Sequence, residues 1–388
     1  MKQLVKFEIY KLFRQKGIYT WMILMFLFFS LAMTMEARIP NNLDTSAIEI
    51  KEELQTAAKK WEGKLTGKKI EEASNLSQSL EARVQQKFAD NYKGDGNELT
   101  SEEVAEYFIL SRISLARYNL QVFQTNLKDL DNRVNSVNRD SFAYKKGLLE
   151  QEMLEKVNVE TFTYNEGPKK TIDFVSNYAV YFTGIIMLVG LTSTFVNETR
   201  TSMDQLIYSS RYGRKQIVTA KIMAGMALIV VLTISWVTFD VLMNLYLYGN
   251  NGWNSSIQLL GHPHSPYNLT GLEYFGIQIG AHLIAAIAFM AFILTVSALS
   301  KSILASFLIS TLVFILPSIF LHSHILEFAR KYSFISFMEA FEFRSPFHAI
   351  NVFGVPVLDP YIHYPLLVLI TAFFMFVTYQ IIRRKQVQ

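Results

Sequence analysis

The chain has 388 residues, 51% of them hydrophobic and 18% charged, with 30 Phe, a formal charge of +4 and a positive mean hydropathy of +0.20. Several uncharged runs reach the roughly 20 residues of helix that a hydrocarbon core requires, so the chain reads as an integral membrane protein and not a soluble domain. It has no Cys, which excludes disulfides, thiolate metal sites and a cysteine nucleophile, and its small positive charge is no sign of nucleic acid because the basic residues sort by membrane side.

The opening residues, KQLVKFEIYKLFRQK, put Leu4, Val5, Ile9, Leu12 and Phe13 in one half of a helical wheel and Lys6, Lys11 and Arg14 in the other. Glu8 interrupts the apolar half. Over 1–16 the pattern predicts an entry helix lying in the membrane interface, its cations near anionic lipid headgroups; a basic flank that only sets orientation would use the same residues. The first uncharged run is 17–35, with Tyr19 and Trp21 as interfacial aromatics. It is longer than the apolar core of a cleaved signal peptide and reads as a retained anchor.

Residues 36–173 are a different material, rich in Lys, Glu, Gln and Asn, with 20 Lys+Arg and 23 Asp+Glu over 37–173. Helices are expected over 48–61, 68–92 and 101–130, broken at Gly63, Gly67 and the turn at Gly94–Asn97. Thr100 and Glu103 have the spacing of a capping box. The expectation is a helical extracytoplasmic domain, either a bundle or a coiled stalk. Gly63 to Lys69 resembles a phosphate loop only superficially: its glycines stand one residue too close and no Ser or Thr follows the lysine.

Five further spans are expected over 174–197, 222–248, 274–300, 302–326 and 364–382, the last ending in Arg383, Arg384 and Lys385. With the N-terminus inside, the inner segments hold 14 Lys+Arg against three acids, whereas the short outer loops hold only Arg330, Lys331 and Arg344. The positive-inside bias therefore predicts an all-α polytopic membrane protein with six transmembrane helices and both termini cytoplasmic. The stretch 327–363, with Phe334, Phe337, Phe341, Phe343 and Phe347 among charges, is too apolar for a loop and too charged to span. Short helices dipping into the outer leaflet against protein would satisfy both facts.

The longest inner loop, 197–221, carries Arg200, Arg211, Arg214, Lys215 and Lys221 against Glu198 and Asp204. Its middle, 202–209, has the pattern of one short amphipathic helix with Met203, Leu206 and Ile207 on one side. The amphipathic entry, the Phe195-x-x-Glu198 exit from the second span, the Asp204–Leu206 helix, the Arg211-Tyr-Gly-Arg214 run to Lys221 and the near-spanning outer segment occur in a characteristic order. In that order the chain resembles the permease subunit of a bacterial ATP-binding-cassette transporter of the type-2 export class, in the subgroup with a large domain after the first span.

The resemblance implies that 197–221 holds a coupling helix docking on a separate cytoplasmic ATPase subunit, with the entry helix (Lys6, Glu8, Lys11, Arg14) beside it. Glu198, Asp204, Leu206, Tyr208, Arg211, Arg214, Lys215 and Lys221 are the implied coupling residues. ATP and Mg would be bound by that ATPase, which acts as a dimer, while this chain binds no cofactor and pairs with a second permease chain in the plasma membrane. Within the spans Asp240 and His282 are costly ionisable groups; both fall in the outer half, where a translocation path or gate is expected. All seven histidines lie toward the outer side, and only His262/His264 and His322/His324 have a one-residue spacing that a zinc or copper site uses. Imidazoles in loops are more often plain polar residues, and no metal site is expected. No motif for covalent catalysis is present, so the chain reads as a transport subunit and not an enzyme. The alternative is a membrane sensor whose 36–173 domain binds a ligand, which the absence of an inner output domain disfavours; an ion-coupled carrier is disfavoured by the lack of a repeat. The expected substrate is a peptide, antibiotic or lipid-like molecule, exported or delivered to the outer leaflet.

Overall fold

The computed structural model describes residues 1–37, 48–89, 100–159, 161–210, 213–319 and 330–385. Among the described residues, five helices are long and apolar enough to cross a membrane: Lys16–Glu36, Glu166–Arg200, Lys215–Tyr248, Gly271–Leu299 and Asp359–Arg384. A further apolar helix, Ile303–Ile319, has 17 residues; the remainder of the fifth expected span, 320–326, lies outside the described residues.

Several of these helices begin well before the apolar runs do. Apolarity marks where lipid starts, whereas capping chemistry marks where helix starts. Thr270 and Glu273 form a reciprocal capping box ahead of Gly271–Leu299. Pro360 sits in the first turn of Asp359–Arg384, where its missing N–H has no helical partner to lose. Glu166–Arg200 starts eight residues before 174 and passes through a π-helical stretch at Val175–Ala179.

Gly271–Leu299 is the hub, touching Val180–Leu191, Lys215–Tyr248, Ile303–Ile319 and Asp359–Arg384. The apolar windows of Lys16–Glu36 and Asp359–Arg384 are only 17% buried, against 72% for Glu166–Arg200, so these two helices are peripheral. Leu27, Leu31, Leu369 and Phe373 are exposed on them, apolar faces suited to lipid. Aromatic rings fill the interior: Phe26 lies 4.9 Å from both Phe182 and Phe239, and Phe289 stacks on Phe314 at 4.8 Å.

Between the first two spans, Lys51–Trp61, Gly67–Ala89 and Phe142–Glu155 all pack on the 35-residue helix Ser101–Asn135. Leu54, Trp61, Ile109, Ile113 and Phe123 are buried there, so these helices form a bundle and not a stalk. Thr100 and Glu103 make the expected capping box; the Arg83 guanidinium paired with Glu103, together with the Thr100 N–H, holds that carboxyl below its ordinary range. The glycine-rich stretch is structural. Gly63–Lys64 pairs antiparallel with Thr161–Phe162, and Gly67 opens a helix. Arg112 pairs with the buried Glu166 at 2.9 Å and Asn119 donates to the Gln258 carbonyl, joining the bundle to the membrane part.

One expectation needs correction. The stretch 327–363 contains the short helices Phe334–Met338 and Phe341–Arg344, but also a β-hairpin of Ala349–Val352 with Val355–Leu358. Its turn places Phe353 and Gly354 at positive φ, 51° and 86°, the backbone that suits a two-residue hairpin. The chain is therefore predominantly helical but not purely so.

At Gly184 the second span approaches the apolar helix Ile303–Ile319 closely, since an added Cβ would lie 2.1 Å from the Phe314 ring. Gly184→Ala is expected to lower stability by about 1–3 kcal/mol through overpacking, and Phe314→Leu in the same chain to recover part of it. Thermal unfolding in detergent micelles checks both changes.

Candidate functional site

Helix Lys2–Phe13 packs along Lys215–Tyr248 and turns at Arg14–Gln15 into the first span. Its buried residues are Leu12 and, unusually, Glu8. A carboxylate on an apolar face is costly unless paired, and the pairing explains it. Lys221 is 1% exposed and its Nζ lies 2.9 Å from Glu8 Oε2 and 2.6 Å from Glu198 Oε1. The third ammonium proton has the Thr194 carbonyl within 3.4 Å, which completes the donor capacity of a lysine. Lys11 adds a second cation on Glu198 Oε1 at 2.7 Å, and the Lys221 ammonium stands 5.4 Å from the centre of the Phe195 ring. Two acids meet two lysines, so the cluster is formally neutral.

This cluster joins the entry helix, the end of the second span and the start of the third. The short helix Met203–Ser209 follows, entered through Ser202 at φ 54°. Asp204 lies in its first turn, where the helix dipole favours an acid. Leu206 is 75% exposed and Met203 55%, whereas Tyr208 is buried. Burial, with the nearby Glu198 and Asp204 charges, pushes the Tyr208 phenol well above its ordinary pKa. Gly213 closes the turn: an added Cβ would fall 1.5 Å from the Ile207 carbonyl oxygen. Arg214 donates to the Arg383 carbonyl at 2.8 Å and Lys385 to Thr199 Oγ1 at 3.2 Å, bringing the end of the last helix to the same place. Lys215 is exposed, as are Lys6 and Arg14.

Of the residues expected to act in coupling, the fold brings Glu8, Lys11, Glu198 and Lys221 into one cluster. Of Leu206 and Tyr208 among the implied coupling residues, Leu206 is exposed whereas Tyr208 packs within the chain. Arg211 lies outside the described residues. A groove of about 880 Å³ opens between the entry helix and the short helix, lined by Leu4, Phe7, Met203, Ile207 and Ile217 among others. Phe7, Ile217 and Gly213 are parts of this surface that periodicity did not single out. Phe7 falls off the predicted apolar half of the entry helix, and the other two are defined by tertiary approach.

Asp240 and His282 are both fully buried but keep separate partners. Asp240 accepts from Asn244 Nδ2 at 2.7 Å one turn away. His282 Nε2 is 2.9 Å from Thr183 Oγ1, and its ring is edge-on to Trp236 at 5.2 Å.

The cluster carries a sharp expectation. Lys221→Met leaves two carboxylates buried with only the half-exposed Lys11, and is expected to cost about 3–5 kcal/mol. Adding Glu8→Gln and Glu198→Gln to Lys221→Met removes the stranded charge and should recover much of that loss, as read by thermal unfolding of all variants in the same detergent. Equal stability of Lys221→Met and the parent chain would contradict the ion pairing.

A family model described as an ABC-2 family transporter protein matches residues 3–354, nearly the whole chain. No curated protein and no solved structure matches it. With its apolar helices and this match, the chain belongs to the ABC-2 transporter family, as a multi-pass membrane permease subunit of an ATP-binding-cassette transporter whose ATP hydrolysis resides in a separate subunit.

Proposed function

We propose that the chain is the permease of an ATP-driven exporter in the plasma membrane, with six spans, both termini cytoplasmic and the bundle of 36–173 outside. The helix beginning at Ile303 is the start of the fifth of six crossings, the one needed to return the last span to the inner side, where the 14 basic residues gather. A cytoplasmic ATPase dimer binds ATP and Mg, and a second permease chain completes the assembly. The substrate class is a peptide, antibiotic or lipid-like molecule, and Asp240 and His282 line the path or gate on the outer side.

The observation that carries this reading is the exposure of Leu206 and Met203 on a short helix whose base is locked to the entry helix through Lys221. An apolar knob on a rigidly held mount is what a separate motor subunit needs in order to push. A sensor has no use for it.

Leu206 is three-quarters exposed in the isolated chain, so Leu206→Asp should leave insertion and stability nearly unchanged. It should weaken binding of the ATPase subunit by roughly 30-fold or more, the scale of a central interface anchor worth about 2 kcal/mol, and abolish permease-dependent ATP hydrolysis. Co-purification from native membranes and ATPase rates in liposomes measure both. Undiminished ATPase binding and stimulation in Leu206→Asp would contradict this placement, and a parent chain that purifies without any ATPase would return attention to the sensor alternative.

A further inference from the structure

At the opposite end of the last helix from the coupling segment lies a group of side chains to which the proposed function gives no role. Glu342 sits in the short helix Phe341–Arg344, and Asp359 and His363 stand one turn apart at the start of Asp359–Arg384, on one face by helical spacing. All three are at least 94% buried, and one ligand atom from each lies within 4.8 Å of the others. The hairpin supplies a fourth donor. Its base register pairs Ala349 with Leu358, so the flanking residues His348 and Asp359 face each other, and His348 Nδ1 is 2.7 Å from Asp359 Oδ1.

We propose that Glu342, Asp359 and His363, with His348 as the fourth donor, form a binding site for a divalent cation of the zinc class. The donor set of two imidazoles and two carboxylates is one that zinc takes in four-coordinate sites. Bonds of about 2.1 Å place tetrahedral ligands about 3.4 Å apart, so the hydrogen-bonded pairs His363–Glu342 and His348–Asp359 would part slightly while the wider separations, up to 4.8 Å among Glu342, Asp359 and His363, would close. His363 Nδ1 hydrogen-bonds Glu342 Oε1, and Lys331 Nζ lies 2.7 Å from Asp359 Oδ2.

Those contacts leave two facts unexplained. Glu342 Oε2 is buried without a hydrogen-bond partner, a cost that native folds avoid or use. With neutral imidazoles, the two carboxylates outweigh the single Lys331 ammonium, leaving a buried negative charge that a divalent cation offsets. The half-exposed His348 side chain (52%) gives the ion a way in from solvent, and the rings of Tyr332 and Phe337 wall His363 on the other side. A bound ion would tie the short helix, the hairpin base and the last span together at one point. This site does not use the His262/His264 pair: His262 is buried and its pKa is lowered to about 4 by that burial and by Arg344 and Lys169, while His264 contacts Asn126; His322 and His324 lie outside the described residues.

The test uses the full chain purified without a polyhistidine tag, stripped with chelator, re-equilibrated with Zn²⁺ and assayed for metal by mass spectrometry. The expected result is about one zinc per chain, with His363→Gln and Glu342→Gln each weakening binding by roughly 10–100-fold or more and His264→Ala leaving it unchanged. Co²⁺ loading of the parent chain gives an independent reading through the intense visible bands of a four-coordinate ion. A parent chain that retains no zinc and shows no such bands overturns the proposal whatever the variants do, as does stoichiometric zinc of undiminished affinity in a folded His363→Gln or Glu342→Gln chain.

Discussion

The way the permease's entry helix meets its 197–221 segment depends on one buried ammonium. Lys221 is held away from solvent between Glu8 and Glu198, in surroundings where an unpaired charge would be several kcal/mol out of balance. The two acids come from segments about 190 residues apart, and neither has reason to be buried without the lysine. The entry helix, the exit of the second span and the entrance of the third are therefore placed by mutual need. Ion pairs of this kind add little stability over apolar packing; what they provide is a single register in which the three segments meet.

From that register the exposed surface follows. Glu198 sits in the turn of helix immediately before Ser202, so fixing it fixes where Met203–Ser209 begins. Gly213, pressed against the Ile207 carbonyl, folds the chain back under that helix, and Arg214 ties the return to the end of the last span through the Arg383 carbonyl. Leu206 is left outward while Tyr208 is drawn in. Under the proposed function, force applied at Leu206 passes to the entry helix through Glu198 and Lys221 and to the last span through Arg214. At the other end, the aromatic-rich hairpin segment and its acid–histidine cluster give the last helix a second fixed point.

Much of this was legible from residue patterns, and the limits have physical causes. Apolar runs mark membrane helices because lipid demands them, and Thr100–Glu103 marks a helix start because capping is local. Glu8, by contrast, is only an interruption of a wheel until Lys221 is seen opposite it, 213 residues later; periodicity carries no information about such a partner. Tyr208 reads as a docking aromatic because sequence cannot tell an inward from an outward face on a seven-residue helix. The hairpin at 349–358 hides among Phe-rich helical signals, since AINV and VPVL are too short to establish an alternation. The meeting of His348 with Asp359 escapes spacing rules because a hairpin register creates it.

The absence of cysteine makes one measurement direct. Spin labels at two cysteines replacing the exposed Tyr10 and Ser209 report the distance between the entry helix and helix Met203–Ser209, in chains diluted with unlabelled permease and assembled with the ATPase subunit. If the Glu8–Lys221–Glu198 cluster makes these helices one body, that distance and its spread stay the same with ATP, with ADP and without nucleotide, and broaden in Lys221→Met. A distance that shifts between nucleotide states in the parent chain would show the two helices moving independently and contradict the account.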